Sequence, residues 1–139
     1  MIEDYLKHKA ERQKNNLPPL PLDSNQTAEL VELLKKESTD NSEFLIDLLS
    51  EHVPAGVDQA AFVKAAFLTD VAKNKTQSPH ITVEKSIELL GTMLGGYNVQ
   101  SLVSLLTTDN AAKAVKVLSQ ITLIFDAFYD VKKLFENGN

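Results

Sequence analysis

The stretch Ile81-Thr82-Val83-Glu84-Lys85-Ser86-Ile87-Glu88-Leu89-Leu90-Gly91-Thr92-Met93-Leu94-Gly95-Gly96-Tyr97-Asn98 reads as a helix, a glycine turn and the start of a returning helix. Thr82 is placed to cap the first turn, because its hydroxyl can accept a backbone N–H that has no partner inside the helix. Val83, Ile87, Leu90 and Leu94 recur at helical spacing, which gives one apolar stripe. Gly95-Gly96 is read as the stop, since glycine takes the left-handed conformation past a helix end without a Cβ clash. Asn98 is placed to cap a second helix with apolar positions Val99, Leu102, Val103 and Leu106.

The same logic extends outward in both directions. The pattern (Val or Ile)-x-Leu-Leu occurs at Val31–Leu34, Ile46–Leu49, Ile87–Leu90 and Val103–Leu106. The first two copies are separated by one helix and one turn, and so are the last two. Two helical hairpins of similar plan follow, and stacked hairpins that bury their inner faces are the principle of α-solenoids. No run alternates apolar and polar residues as a half-buried strand would. The expected fold is all-α, a HEAT-like solenoid of stacked antiparallel hairpins with about seven or eight helices.

Residues 1–139 are read as one domain, with 1–22 an N-terminal helix plus proline-rich connector and 23–139 the stacked helices. The first helix is expected from Ile2 to about Lys14, with Ile2, Tyr5, Leu6 and Ala10 inward. Leu17-Pro18-Pro19-Leu20-Pro21-Leu22 is too proline-dense for a helix and is expected to lay its three leucines on the core. Its Pro18-x-x-Pro21 spacing is also that of ligands for proline-reading domains. Asp23 to Gln26 has the pattern of a capping box, followed by Thr27, Leu30, Val31 and Leu34 inward. Asp40 to Glu43 looks like a second such start, leading into Phe44, Leu45, Leu48 and Leu49. A helix over about Asp58 to Asn74 is apolar on more than one side and is therefore placed centrally. After a polar loop at Lys73–His80 and the opening stretch, Asp109 is the expected cap of helical sequence running to about Leu134. That sequence is one helix, or two with a bend near Ser119-Gln120; Ile121, Leu123, Ile124, Phe125, Phe128 and Val131 make it strongly apolar.

Composition narrows the function. A chain of 139 residues with 43% hydrophobic and 24% charged residues is globular rather than disordered. Its formal charge of −5 argues against a general nucleic-acid or anionic-membrane binder, which needs a basic face. There is no cysteine, so there is no disulfide, no thiol nucleophile and no thiolate ligand for zinc or an iron–sulfur cluster. The acidic N-terminus does not resemble a signal peptide, and no apolar run is long enough to span a membrane. A cytoplasmic location is expected.

Few residues suggest chemistry. His8, His52 and His80 form no paired metal-ligand motif. Asp47 and Glu51, like Glu84 and Glu88, lie one turn apart, a spacing that serves acid–base or metal chemistry but also any solvated helix face. Gly91-x-x-x-Gly95-Gly96 lacks the Lys-Ser/Thr of a phosphate-binding loop and follows a helix instead of a strand. Tyr97 is expected to pack the turn. Lys113, Lys116, Lys132 and Lys133 place positive charge toward the C-terminal end, but Phe125, Phe128 and Tyr129 read as core and not as stacking platforms for bases. No catalytic, cofactor-binding or metal-binding residue is assigned.

Glu84-Lys85-Ser86-Ile87-Glu88-Leu89-Leu90-Gly91-Thr92-Met93 with Gly95-Gly96-Tyr97-Asn98 resembles the N-terminal domain of the bacterial B-type aconitases (aconitate hydratase 2). Leu30-Val31-Glu32-Leu33-Leu34-Lys35, Glu43-Phe44-Leu45 with Asp47-Leu48-Leu49, Val53-Pro54 with Gly56-Val57-Asp58, and Phe128-Tyr129-Asp130-Val131 extend the likeness along the chain. The resemblance implies a HEAT-like domain that supports self-association or contacts with other metabolic enzymes, or that shapes the substrate route. It implies a parent lyase of the tricarboxylic acid cycle, interconverting citrate and isocitrate on a [4Fe–4S] cluster. That cluster would be held by residues of the parent beyond this chain, and this chain alone would not be the catalyst. Messenger-RNA binding is associated with the apo enzymes, but the charge of −5 gives this domain no electrostatic means for it.

Overall fold

The computed structural model describes residues 1–37, 40–121 and 127–137. Among them are eight α-helices and no strand: α1 (Ile2–Lys14), α2 (Ser24–Leu34), α3 (Ser42–Glu51), α4 (Gln59–Ala72), α5 (Val83–Gly91), α6 (Val99–Ser104), α7 (Ala111–Leu118) and α8 (Ala127–Glu136). A 3₁₀ turn, Leu105–Thr107, continues α6. The all-α expectation holds. One core runs from Tyr5 to Leu118, with Leu30, Leu34, Leu48, Leu49, Leu68, Leu90 and Leu102 fully buried. Burying each such leucine contributes about 1.5–3 kcal/mol, so this shared core is the main stabilising element.

Helix starts are set by short polar side chains. Asp23 and Gln26 form a reciprocal capping box, and the four inward residues expected of α2 are all buried. The Asp58 carboxylate accepts from Ala61 N at 2.9 Å, and the Thr82 hydroxyl accepts from Lys85 N at 3.1 Å. The start at Asn41 makes no such bond; instead Ser42 Oγ lies 2.8 Å from His80 Nδ1. The cap position of α7 is Asn110 and not Asp109, with Asn110 N donating to Thr108 Oγ1 at 3.2 Å.

α4 is central, packed principally between α2 and α5. The four (Val or Ile)-x-Leu-Leu copies fall on α2, α3, α5 and the α6–3₁₀ segment, and α2 packs against α3 as the repeat predicts. The second pair is arranged differently. The principal neighbours of α5 are α4 and α7, while α6 packs on α7 and α8. Gly91 makes the α5–α7 contact close: a Cβ there would overlap the Val117 side chain.

The opening stretch departs from its sequence reading in three ways. α5 ends at Gly91, so Leu94 lies beyond the helix and is 72% exposed, while Leu89 and Met93 take buried places. The stop comes from backbone competition: Leu94 N and Gly95 N both donate to Ala55 O, at 2.7 and 3.1 Å, which pulls the chain off the helical path. Asn98 sits at the cap position of α6 but points backward, donating through Nδ2 to Leu90 O at 2.6 Å and Met93 O at 3.2 Å. It closes the end of α5 rather than the start of α6.

Two further expectations are corrected at the N-terminus. Leu17 and Leu20 are exposed and only Leu22 is buried, because the connector is held by polar bonds. Arg12 Nε donates to Pro18 O, Leu20 N to His8 Nε2 and Leu22 N to His52 O. On α1, Tyr5 is the buried residue, while Leu6 and Ala10 face solvent. At the other end the helical sequence is divided, with α7 ending at Leu118. Leu123, Ile124 and Phe125 lie outside the described residues, as do the side chains of Phe128 and Val131.

Candidate functional site

The residues with chemical potential are occupied by structure. His80 joins three elements: its Nδ1 meets Ser42 Oγ and its Nε2 donates to Lys36 O at 2.9 Å. His8 uses Nε2 to accept from Leu20 N. His52 Nδ1 lies 3.3 Å from Tyr5 Oη, and its Nε2 lies 3.3 Å from Asp47 Oδ2. This Asp–His–Tyr series has the order of a proton relay, but its hydroxyl belongs to the buried Tyr5. Burial, with Asp47 adding to it, raises the Tyr5 pKa above its ordinary 10. The phenol stays protonated and out of reach of a substrate. A depression of about 480 Å³ beside His52 is walled by Pro19, Pro21 and Pro54 and is also lined by Ser50, Glu51 and Thr92, but among the described residues no hydrogen bond joins His52 to any of those three side chains.

Of the carboxylate pairs, Glu84 and Glu88 line one depression of about 390 Å³ together with Lys113 and Lys116, and Asp47 of the other pair turns to His52. Glu84 reaches across to Lys113 of α7 at 3.0 Å, an exposed pair of small energetic weight. Lys132 lies 3.9 Å from Glu136. Among the described residues no three His, Cys, Asp or Glu side chains cluster as metal ligands would.

Lys64 was not singled out by sequence and is the most deeply buried charged side chain among the described residues. It is 1% exposed, its ammonium 3.5 Å from Ser50 O. Burial lowers its pKa from 10.5 to about 8, partly opposed by Glu51. Between those values the unfolded chain binds the proton and the folded chain does not, so stability rises with pH there. Urea unfolding should therefore show a gain from pH 8 to 10 that is absent in Lys64→Met. At pH 7 that variant should be more stable than the parent chain by about 2 kcal/mol, since methionine fills the same space without desolvating a charge.

What remains is a surface. The loop before α4 and the glycine turn before α6 are tied together: Ala55 O takes two amides, and Tyr97 Oη donates to Val57 O at 2.8 Å. Gly95 permits this approach, because a Cβ on it would overlap the Gly56 carbonyl. Gly96 completes the turn at φ 93°, a left-handed value that glycine tolerates. Tyr97 packs edge-on against Phe62, ring centroids 5.5 Å apart, as well as bracing the turn. Val57 and Leu94 are each 72% exposed, Phe62 49% and Tyr97 38%. The sequence reading puts Leu94 on the apolar stripe of its helix and makes the helix that carries Phe62 apolar on more than one side. Here Phe62 and Leu94 join Val57 and Tyr97 as an apolar surface on two interlocked loops and the first turn of α4.

Comparison with known proteins agrees with the likeness in the residues. A family model described as the Aconitate B N-terminal domain matches residues 4–139. Aconitate hydratase B of Escherichia coli (strain K12) is 52% identical over 140 aligned positions, covering 100% of this chain and 16% of that protein. The Synechocystis aconitate hydratase B is 50% identical, over 99% of this chain and 16% of the relative. The Helicobacter pylori protein of the same name is 41% identical, over 91% of this chain and 15% of its own length. The chain thus spans about one sixth of the curated relatives it matches. With a family model covering nearly every residue and full-chain identities of this size, the chain belongs to the Aconitate B N-terminal domain family.

Proposed function

We propose that this chain is the protein-contact domain of a [4Fe–4S] aconitate hydratase interconverting citrate and isocitrate, and that it binds protein and leaves the chemistry to the rest of that enzyme. One observation carries the reading. The histidines are committed to structural hydrogen bonds, while Val57, Phe62, Leu94 and Tyr97 are exposed on loops and a helix start that backbone bonds to Ala55 O and the Tyr97–Val57 bond tie together. Preorganised apolar surface of this kind lowers the entropy lost on association. The family membership supports assigning the contact to self-association or to docking with other metabolic enzymes, and supports the HEAT-like description of the helices.

The iron–sulfur cluster does not fit this chain. Without cysteine it offers no thiolate to iron. The charge of −5 and the pairing of Lys113 with Glu84 favour protein over RNA as the partner. Among the described residues no helix is long and apolar enough to cross a membrane, and the proposed location is cytoplasmic.

The test is deletion of this segment from the full-length parent, followed by sedimentation velocity. A smaller assembly, or loss of a partner that co-sediments with the intact enzyme, is the expected result. Unchanged assembly and unchanged partner binding would overturn the reading.

A further inference from the structure

Beside the apolar surface, a groove of about 190 Å³ runs between α4 and α6. Phe62 and Tyr97 stand at one end. Ala65, Ala66 and Ser101 line its middle, and Asp70 lies toward the other end. Thr69 Oγ1 and Ser101 Oγ, 2.7 Å apart, join the two helices across it. The order along the groove follows from α4 itself, since Phe62 and Asp70 are eight residues apart on one helix. At 1.5 Å per residue that is about 12 Å.

The two ends differ in chemistry. The aromatic end is continuous with exposed Val57 and Leu94 and offers an apolar seat. Among the described residues no hydrogen-bond donor or cation pairs with the Asp70 side chain, although its backbone carbonyl takes Lys75 N and Thr76 N. Asp58, at the start of α4, adds a second negative charge near the aromatic end. A partner that pairs with this groove therefore needs an apolar side chain and a cation about 12 Å apart. In extended chain, at about 3.3 Å per residue and with successive side chains on opposite faces, two side chains that face the groove at about that distance are four residues apart.

We propose that the α4–α6 groove docks an extended segment of a partner protein, in which a large apolar side chain seats on Phe62 and Tyr97 and an arginine or lysine four residues away pairs with Asp70. The inference rests on reading the domain as a protein-contact module and names the chemistry of the contact. Aromatic rings give area at low entropy cost, and a carboxylate gives charge-assisted hydrogen bonds to a guanidinium. The small side chains in the middle let a backbone approach closely.

The probe is a blocked peptide carrying the core Leu-Ala-Ala-Ala-Arg between alanines, with a control in which glutamate replaces the arginine. Binding is followed by amide NMR of the full 139-residue chain. The expected result is saturable shifts confined to α4, α6 and the 94–98 turn with the arginine peptide, and none with the glutamate peptide at equal concentration. Asp70→Asn should weaken binding about tenfold, and Phe62→Ala should remove it. Both positions are solvent-accessible, so the variants should keep the parent's amide dispersion, checked in the same spectra. Absence of saturable shifts at millimolar peptide overturns the proposal, as do shifts indifferent to Asp70. A Phe62-dependent dimer in sedimentation would also overturn it, because a second copy would then cover the groove. Peptide binding with no effect of domain deletion on the parent's assembly or partner binding keeps the groove and removes the wider reading; the reverse pair of results removes only the groove.

Discussion

Gly95→Ala should lower stability by about 3 kcal/mol, seen as a fall in the urea midpoint at unchanged slope. The added Cβ would overlap the Gly56 carbonyl, which is backbone and has no rotamer to escape by. Relief requires the 54–57 loop and the glycine turn to separate. That movement breaks the two bonds from Leu94 N and Gly95 N to Ala55 O and the bond from Tyr97 Oη to Val57 O. Overpacking of this kind costs about 1–3 kcal/mol, and each net hydrogen bond lost adds about 0.5–1.5. The neighbouring glycine is the control. Gly56→Ala meets nothing within 4 Å and should be neutral or slightly stabilising. Equal losses at both positions would show that general loop flexibility, and not close approach, explains the glycines. Gly95→Ala should also displace Tyr97 and so weaken any contact made through the apolar surface.

Asn98→Asp should be more damaging than Asn98→Ala, although it changes one atom. Asn98 is 1% exposed, and its amide nitrogen donates to Leu90 O and Met93 O. A carboxylate would present an oxygen to those two carbonyls with no proton to share. A buried charge without a partner costs about 3–5 kcal/mol, against about 1–3 for removing the donor alone. The sign with pH follows. Burial beside two carbonyls raises the new carboxyl's pKa above its unfolded value of about 3.9, so the folded variant holds the proton over the wider range. Its stability should therefore fall as pH rises through that window and recover in acid, where the protonated carboxyl can donate to Leu90 O. Chemical denaturation at pH 4 and pH 7 measures this directly. A larger deficit at pH 4 would contradict the account.

How far the sequence could be read depended on whether a feature is local. The capping box at Asp23, the cap at Thr82 and the inward set Thr27, Leu30, Val31 and Leu34 depend only on neighbours in the chain, and all are found as expected. The end of α5 depends on Ala55, far away in sequence, so periodicity carried the helix on to Leu94 when a distant carbonyl had drawn the chain off its path. Asn98 was misread for the same reason: cap residues look alike in sequence whether they serve the helix before or after them. Lys64 was legible in principle. It falls on the stripe shared by Ala60, Ala61, Phe67, Leu68 and Val71, all buried, but a charged residue is not expected inside.

The candidate surface was the least legible feature. Phe62 and Leu94 belong to residue types that usually fill a core, and nothing in their spacing marks them as uncovered. Their exposure follows from the docking of two loops, with Gly95 and Tyr97 as the means. The glycine turn did stand out in the sequence, but as a helix stop, when its larger consequence is close approach to Gly56.

The most direct test of a domain that binds protein and takes no part in catalysis is the turnover number of the full-length parent lacking this segment. It is measured on citrate and isocitrate at dilutions where both forms sediment as monomers. The account predicts a kcat within about twofold of the intact enzyme, since the histidines of this chain are committed to structural hydrogen bonds and it holds no cysteine. A fall of about a hundredfold or more would contradict it and would place the domain on the substrate's route to the active site.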